Sequence, residues 1–260
     1  MITRRTAAVL LAAPVLLSGC GGGAEATPRG AAATTRGREG TGTTSPTTRQ
    51  ALPVAPAPEL TVQAAPQRIP GLGPVTADAI PGRARQAVVV TGRGKDSPRS
   101  TVVLYERTAL GWQAGPDWPA HNALRGWSDR HTAGDLRSPT GVYTLSDAGG
   151  LLRDPGTRLP YHHSGGFASP GTGFEGEPLA GSFDYVIAID YNREPGTSPL
   201  DWTRPLGAKR GGGIWLHVDH GGPTHGCVSI AKAHMKHLLR TLDPDRHPVV
   251  VMGYADRLAS

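Results

Sequence analysis

Cysteine is almost missing from this chain. Its 260 residues contain only Cys20 and Cys227, too few for a disulfide framework. Aromatic residues make up 5% of the chain and all lie at or beyond Tyr105, while no histidine precedes His121. Two equal globular halves are therefore excluded, because the N-terminal part lacks the material for a core. Charge is scarce too, at 18% of residues. The net +6 divides into +2 before Cys20, +1 over residues 21–66 and +3 over the remainder, which is too diffuse for a nucleic-acid footprint. The apolar run Ala7–Leu17 is far shorter than the roughly 20 residues a membrane-crossing helix needs.

What the N-terminus does contain is an export pattern. Arg4 and Arg5 precede the apolar run, and Ser18-Gly19 supplies small residues before Cys20, the three parts of a secretory signal. Leu17-Ser18-Gly19-Cys20 resembles the lipobox of bacterial lipoproteins, which implies cleavage before Cys20 and lipid attachment to it. Two or more acyl chains hold a protein stably on a membrane where one is marginal. Residues 1–19 are accordingly read as a lipoprotein signal peptide, and a soluble secreted protein is the alternative. From Gly21 to Pro66, 32 of 46 residues are Gly, Ala, Thr or Pro. Such a stretch cannot bury enough apolar surface to offset chain entropy, so residues 20–66 are expected to be a disordered tether, with the folded domain spanning 67–260. A lipidated Cys20 leaves Cys227 as a lone exported thiol, and oxidising compartments select against idle thiols.

Beyond residue 67 the dominant signals are short strands: Ala87–Thr91, Thr101–Glu106, Gly141–Leu145, Tyr185–Tyr191, Gly213–Val218 and Pro248–Met252. Each is rich in β-branched or aromatic residues and bounded by turn formers, which predicts a mostly β domain. The spacing of Ile230, His234, Leu238 and Leu242 predicts a helix over Ser229–Leu242 with Ser229 as N-cap. The Gly/Pro-rich stretch from Asp147 to Ser182 is expected to be a functional lid or disordered.

Chemistry concentrates between Ile214 and Ser229. In a strand Ile214, Leu216 and Val218 share one face, leaving Trp215, His217 and Asp219 on the other, with Asp219 expected to face solvent. Gly221-Gly222-Pro223 then reverses the chain and returns Cys227 towards His217. A thiol nucleophile needs a neighbouring base, and His217 supplies one. A helix start near Cys227 is expected to lower the thiol pKa, and Gly226 to let a carbonyl approach the backbone. Two other readings compete. Cys227 can be a small buried hydrophobe, and His217, His220, His225 and Cys227 are all potential zinc ligands, though their spacing fits no common zinc pattern. His220, His234, His237 and His247 read as helix-face or loop residues.

His217 followed by Thr224-His225-Gly226-Cys227 resembles the signature of the YkuD-like L,D-transpeptidases. Ser138-Pro139-Thr140-Gly141-Val142-Tyr143 and Tyr185–Asn192 are similar to two further family segments, so the resemblance covers about residues 86–253. It implies an L,D-transpeptidase β-sandwich or closed barrel with a short helix after the cysteine. Cys227 is then the nucleophile, His217 the base, and the Gly226 and Cys227 amides the oxyanion hole. His225, Thr224 and Ser229 are implied substrate-positioning residues, with Ser229 standing where Arg or Asn is common. The implied partners are peptidoglycan stem peptides, the outer face of the bacterial membrane through Cys20, and carbapenem-type β-lactams as inhibitors; no cofactor or metal is required. An L,D-carboxypeptidase on the same site and a non-catalytic wall-binding lipoprotein are the functional alternatives.

Overall fold

The computed structural model describes residues 68–260; the signal, Cys20 and tether expectations lie outside the described residues. After a short helix α1 (Pro74–Asp78), strand β1 (Gln86–Gly92) pairs antiparallel with β2 (Arg99–Thr108), and β2 with β3 (Gly111–His121). The two-residue strands β4 (Trp127–Ser128) and β5 (Ser138–Pro139) pair with each other. There follow β6 (Gly141–Thr144), β7 (Ala148–Gly150), β8 (Tyr161–His163), β9 (Val186–Ala188), β10 (Trp215–Val218) and β11 (Val228–Ile230). Helix α2 (Lys232–Thr241), strand β12 (Val249–Tyr254) and helix α3 (Ala255–Leu258) complete the chain. Ten strands form one curled sheet in the order β6-β12-β1-β2-β3-β11-β10-β9-β7-β8, the mostly β architecture the sequence predicts.

Both faces of β1 and β12 are covered, which explains why these two strands are apolar almost throughout. Val88 and Val90 of β1 enter one core with Leu216, Val228 and Ile230, whereas Ala87 and Val89 enter another with Trp112 and Leu258. Val250 and Met252 divide from Val249 and Val251 in β12 by the same alternation. Each fully buried valine contributes roughly 1.5–3 kcal/mol.

Strand β3 has no counterpart among the predicted strands. Gly115, Pro116 and Pro119 interrupt its pattern, yet it joins β2 to β11 at the centre of the sheet. Val103 pairs with Asp117 and Tyr105 with Ala114, so Leu104 alone faces Gly115 and Pro116. That bulge accommodates a proline that cannot donate to the ladder.

The predicted helix also begins later than its spacing implied. Val228–Ile230 is a strand, held between β10 and β3, and the helix starts at Lys232 after Ala231, with no side-chain cap. The Ile230 carbonyl, which a helix over Ser229–Ile230 would offer to His234, accepts instead from the Asp219 amide. The buried face of α2 is Met235, Leu238 and Leu239, and His234 stacks on Trp118 with ring centroids 4.7 Å apart. The Asp147–Ser182 stretch is ordered: β7 and β8 extend the sheet, and the segment after them folds back towards β10.

Candidate active site

The site grows from the parallel pairing of β10 with β11. Leu216 pairs with Val228 and His217 with Ser229, so Cys227 lies one residue before β11 and diagonal to His217. A strand spacing of about 4.8 Å and a rise of about 3.3 Å per residue place their Cα atoms roughly 8 Å apart on one face. The alternation the sequence predicts is present: Ile214, Leu216 and Val218 enter the core, while Trp215 packs with Phe167, Phe183 and Cys227 on the other side.

Two cavities meet at Cys227. One, of about 400 Å³, is bounded by His217, His220, Phe183, Leu200 and the returning Gly166–Ser182 segment. The other, of about 450 Å³, lies towards His131, Leu136, Arg204 and Gly226. Trp202, Gly213, His225 and Cys227 line both. His225 is exposed at this junction and packs against Phe174, with ring centroids 4.6 Å apart.

No hydrogen bond joins Cys227 to His217. The Trp215 N–H donates to the sulfur at 3.4 Å, and the thiol donates to the Gly213 carbonyl at 3.6 Å. Burial pushes the Cys227 thiol up to about 11, against the weaker effect of the Trp215 N–H. Burial likewise pushes the His217 imidazole down to about 4, only partly offset by its backbone hydrogen bonds. Both groups are neutral at rest. This corrects the expectation of a thiol ionised by a helix start: Val228–Ile230 and Ala231 separate Cys227 from α2, beyond the reach of effects confined to a helix's first turn.

Hydrogen bonding fixes the His217 tautomer. Its Nδ1 lies 2.9 Å from the Val218 carbonyl, which can only accept, so Nδ1 carries the proton and Nε2 is bare. Such an imidazole is ready to take a proton. Among the described residues the Gly226 and Cys227 amides have no hydrogen-bond acceptor, leaving both N–H groups available to an oxyanion. Gly226 has a packing reason of its own, because a Cβ there would collide with Ile214 Cδ1 at 2.8 Å. The close neighbour is thus a core side chain, where a substrate carbonyl was expected.

Two other sequence-derived assignments change, those of Ser229 and Asp219, and a third gains a structural role. The Thr224 hydroxyl donates to the Cys227 carbonyl at 2.7 Å and its amide to Asn122, so it shapes the turn while also lining the cavity with Cys227. Ser229 is fully buried and donates to Asp219 at 2.8 Å. Asp219 is half-buried where solvent exposure was expected; it also accepts from His121 at 2.9 Å. Burial alone would raise the Asp219 carboxyl, but the hydrogen bonds from His121 and Ser229 hold it down to about 2. The zinc reading finds no geometry, since among the described residues no three His, Cys, Asp or Glu side chains are arranged to hold an ion.

Sequence reasoning missed the walls. Trp202 is 77% exposed, with the Arg204 guanidinium 4.9 Å from its ring centroid. Arg204 lies against Gly212, where any Cβ would displace it; its Nη1 donates to the Asp201 and Thr203 carbonyls, and Asp201 is its carboxylate neighbour. Asn192, at φ 48°, donates to the Gly207 and Gly211 carbonyls and so ties down this wall. In the sequence only a Trp next to a Gly- and Arg-rich stretch hinted at it.

No curated protein matches the chain. Among solved structures, Bd1075 from Bdellovibrio bacteriovorus is similar at 16% identity and a TM-score of 0.36, over 68% of this chain. The matched part is 52% of that structure's chain, so the likeness spans about half its length. A family model described as the YkuD L,D-transpeptidase catalytic domain matches residues 13–251. That family comprises cysteine-dependent acyltransferases acting on peptidoglycan. With a match over most of its length, the chain belongs to the YkuD L,D-transpeptidase family.

Proposed function

We propose that this protein is a peptidoglycan L,D-transpeptidase that forms 3-3 crosslinks through a thioester on Cys227. The observation that carries the reading is the junction of two cavities at one sulfur, which gives a donor stem and an acceptor stem separate approaches to the same atom. Rotation of the Cys227 side chain away from Gly213 brings Sγ towards His217 Nε2, which takes the thiol proton as the sulfur attacks the carbonyl of the donor's third residue. The Gly226 and Cys227 amides hold the oxyanion, each donor contributing about 3–4 kcal/mol in comparable sites. His217 returns the proton to the departing D-Ala amine. The side-chain amine of a second stem then resolves the thioester. His225 and Trp202 contact substrate at the junction, and Arg204 offers its guanidinium to a stem carboxylate, the role Ser229 cannot fill from its buried position.

Lipidation of Cys20 anchors the domain to the outer face of the cell membrane in this reading, with residues 20–66 as the tether. Intact-mass measurement after exposure to a tetrapeptide stem, and separately to a carbapenem, tests the assignment. The wild-type protein gains one acyl adduct in each case and Cys227→Ala gains none. His217→Ala loses most of the acylation rate, and His225→Ala loses less. An adduct on Cys227→Ala, or none on the wild type, rejects the reading. If resolution with water outpaces resolution with a second stem, the enzyme is instead an L,D-carboxypeptidase.

A further inference from the structure

A second imidazole enters the same cavity. The His220 and His217 rings are stacked, with centroids 5.8 Å apart and planes 8° from parallel. Both histidines line the roughly 400 Å³ cavity with Cys227. His220 Nδ1 lies 3.1 Å from Glu177 Oε1, and an ionised carboxylate only accepts, so Nδ1 carries a proton and, in the neutral ring, Nε2 is the nitrogen left to accept one. That Nε2 has no protein partner among the described residues, and it is absent from the sealed, unpartnered buried atoms. It therefore opens onto the cavity.

The carboxylate is held in a built position. Glu177 Oε2 accepts from the Glu175 amide at 2.8 Å, and the carboxylate fills the space a Cβ would need at both Gly173 and Gly222. The side chains of His220 and Glu177 are 5% and 12% exposed. Glu177 belongs to the segment that folds over the cavity, and Gly222 to the turn leading to Cys227. Backbone amides, led by its own and that of Glu175, hold its carboxyl below the usual range and keep it charged. A carboxylate on one imidazole nitrogen stabilises the charge that develops when the other accepts a proton.

Resting on the transpeptidase reading, we propose that His220, oriented by Glu177, is the general base for the acceptor in the second half-reaction. The neutral acceptor amine bonds to the thioester carbonyl carbon, and its extra proton passes to His220 Nε2. The C–Sγ bond then breaks and the thiolate takes that proton back. An amide, a Cys227 thiol and a neutral imidazole remain. His217 serves the thiol and the departing amine, so the two stacked rings divide the two half-reactions.

Intact-mass kinetics on the full chain separate the steps, with a synthetic tetrapeptide stem ending in D-Ala as donor and the same stem added later as acceptor. His220→Gln is expected to form the adduct within about threefold of the wild-type rate but to lose it on the order of 10²-fold more slowly. Glu177→Gln, which keeps a hydrogen-bond acceptor, is expected to slow resolution about tenfold, and added imidazole to restore part of the rate in His220→Ala. Resolution at the wild-type rate in His220→Gln overturns the proposal. So does an equal fall in acylation and resolution in both variants, which marks a purely structural dyad. A wild-type protein that forms no adduct defeats the transpeptidase reading itself, whatever His220 does.

Discussion

Burial decides the protonation of the two central side chains, and each shift has a consequence that can be measured. His217 is 2% exposed and its imidazole is pushed from 6.5 down to about 4, so the unfolded chain binds a proton more readily than the folded one. Its contribution to stability is full above pH 6.5 and is lost as pH falls through 4, a change of about 3 kcal/mol. Urea unfolding at pH 7 and pH 4 should show that loss, and His217→Gln should remove most of the difference. An undiminished pH dependence in the variant would place the effect elsewhere. Cys227 moves in the other direction, so its alkylation rate should keep rising with pH towards about 11 and show no plateau near neutrality.

At the scale of elements, the register of β10 against β11 carries the site. The register brings Ser229 to Asp219 and sets Cys227 beside Trp215. Asp219 thus acts as a clasp between β3, β10 and β11 through His121 and Ser229. Ser229→Ala should cost about 1 kcal/mol, and Asp219→Asn about 1 kcal/mol, because a neutral amide oxygen in the place of Oδ1 still accepts from His121 and Ser229 but more weakly than a carboxylate. Denaturant midpoints check both values. An unchanged KM for the stem in Ser229→Ala would confirm its place in the clasp, whereas a rise of tenfold or so would return it to the substrate. The parts of this arrangement differ in how legible they are. The strands at the sheet centre announce themselves through Val-rich runs such as Ala87–Thr91. Strand β3 does not, since its bulge and prolines erase the alternation, and Ser229-Ile230 carries a helical spacing that sheet pairing overrides.

Over the whole molecule, the loops after β8 and β9 turn a sheet surface into two facing cavities. Trp202 belongs to both and is largely free of the core. Trp202→Ala should leave the melting temperature nearly unchanged and raise KM for the donor stem roughly tenfold, about 1.4 kcal/mol of lost contact. A large stability loss with unchanged KM would make Trp202 a packing residue instead.

The sequence alone determined the mostly β class, the strand carrying His217, and the Thr224-His225-Gly226-Cys227 motif, because alternation, turn formers and reactive side chains are local properties of the chain. The tertiary structure decided which groups share an environment. Glu177 meets His220 across 43 positions, Ser229 meets Asp219 beneath the surface, the imidazole is buried and the thiol is partly withdrawn from solvent. No local pattern encodes these meetings, since they depend on where the loops close and on how completely the surrounding side chains exclude solvent.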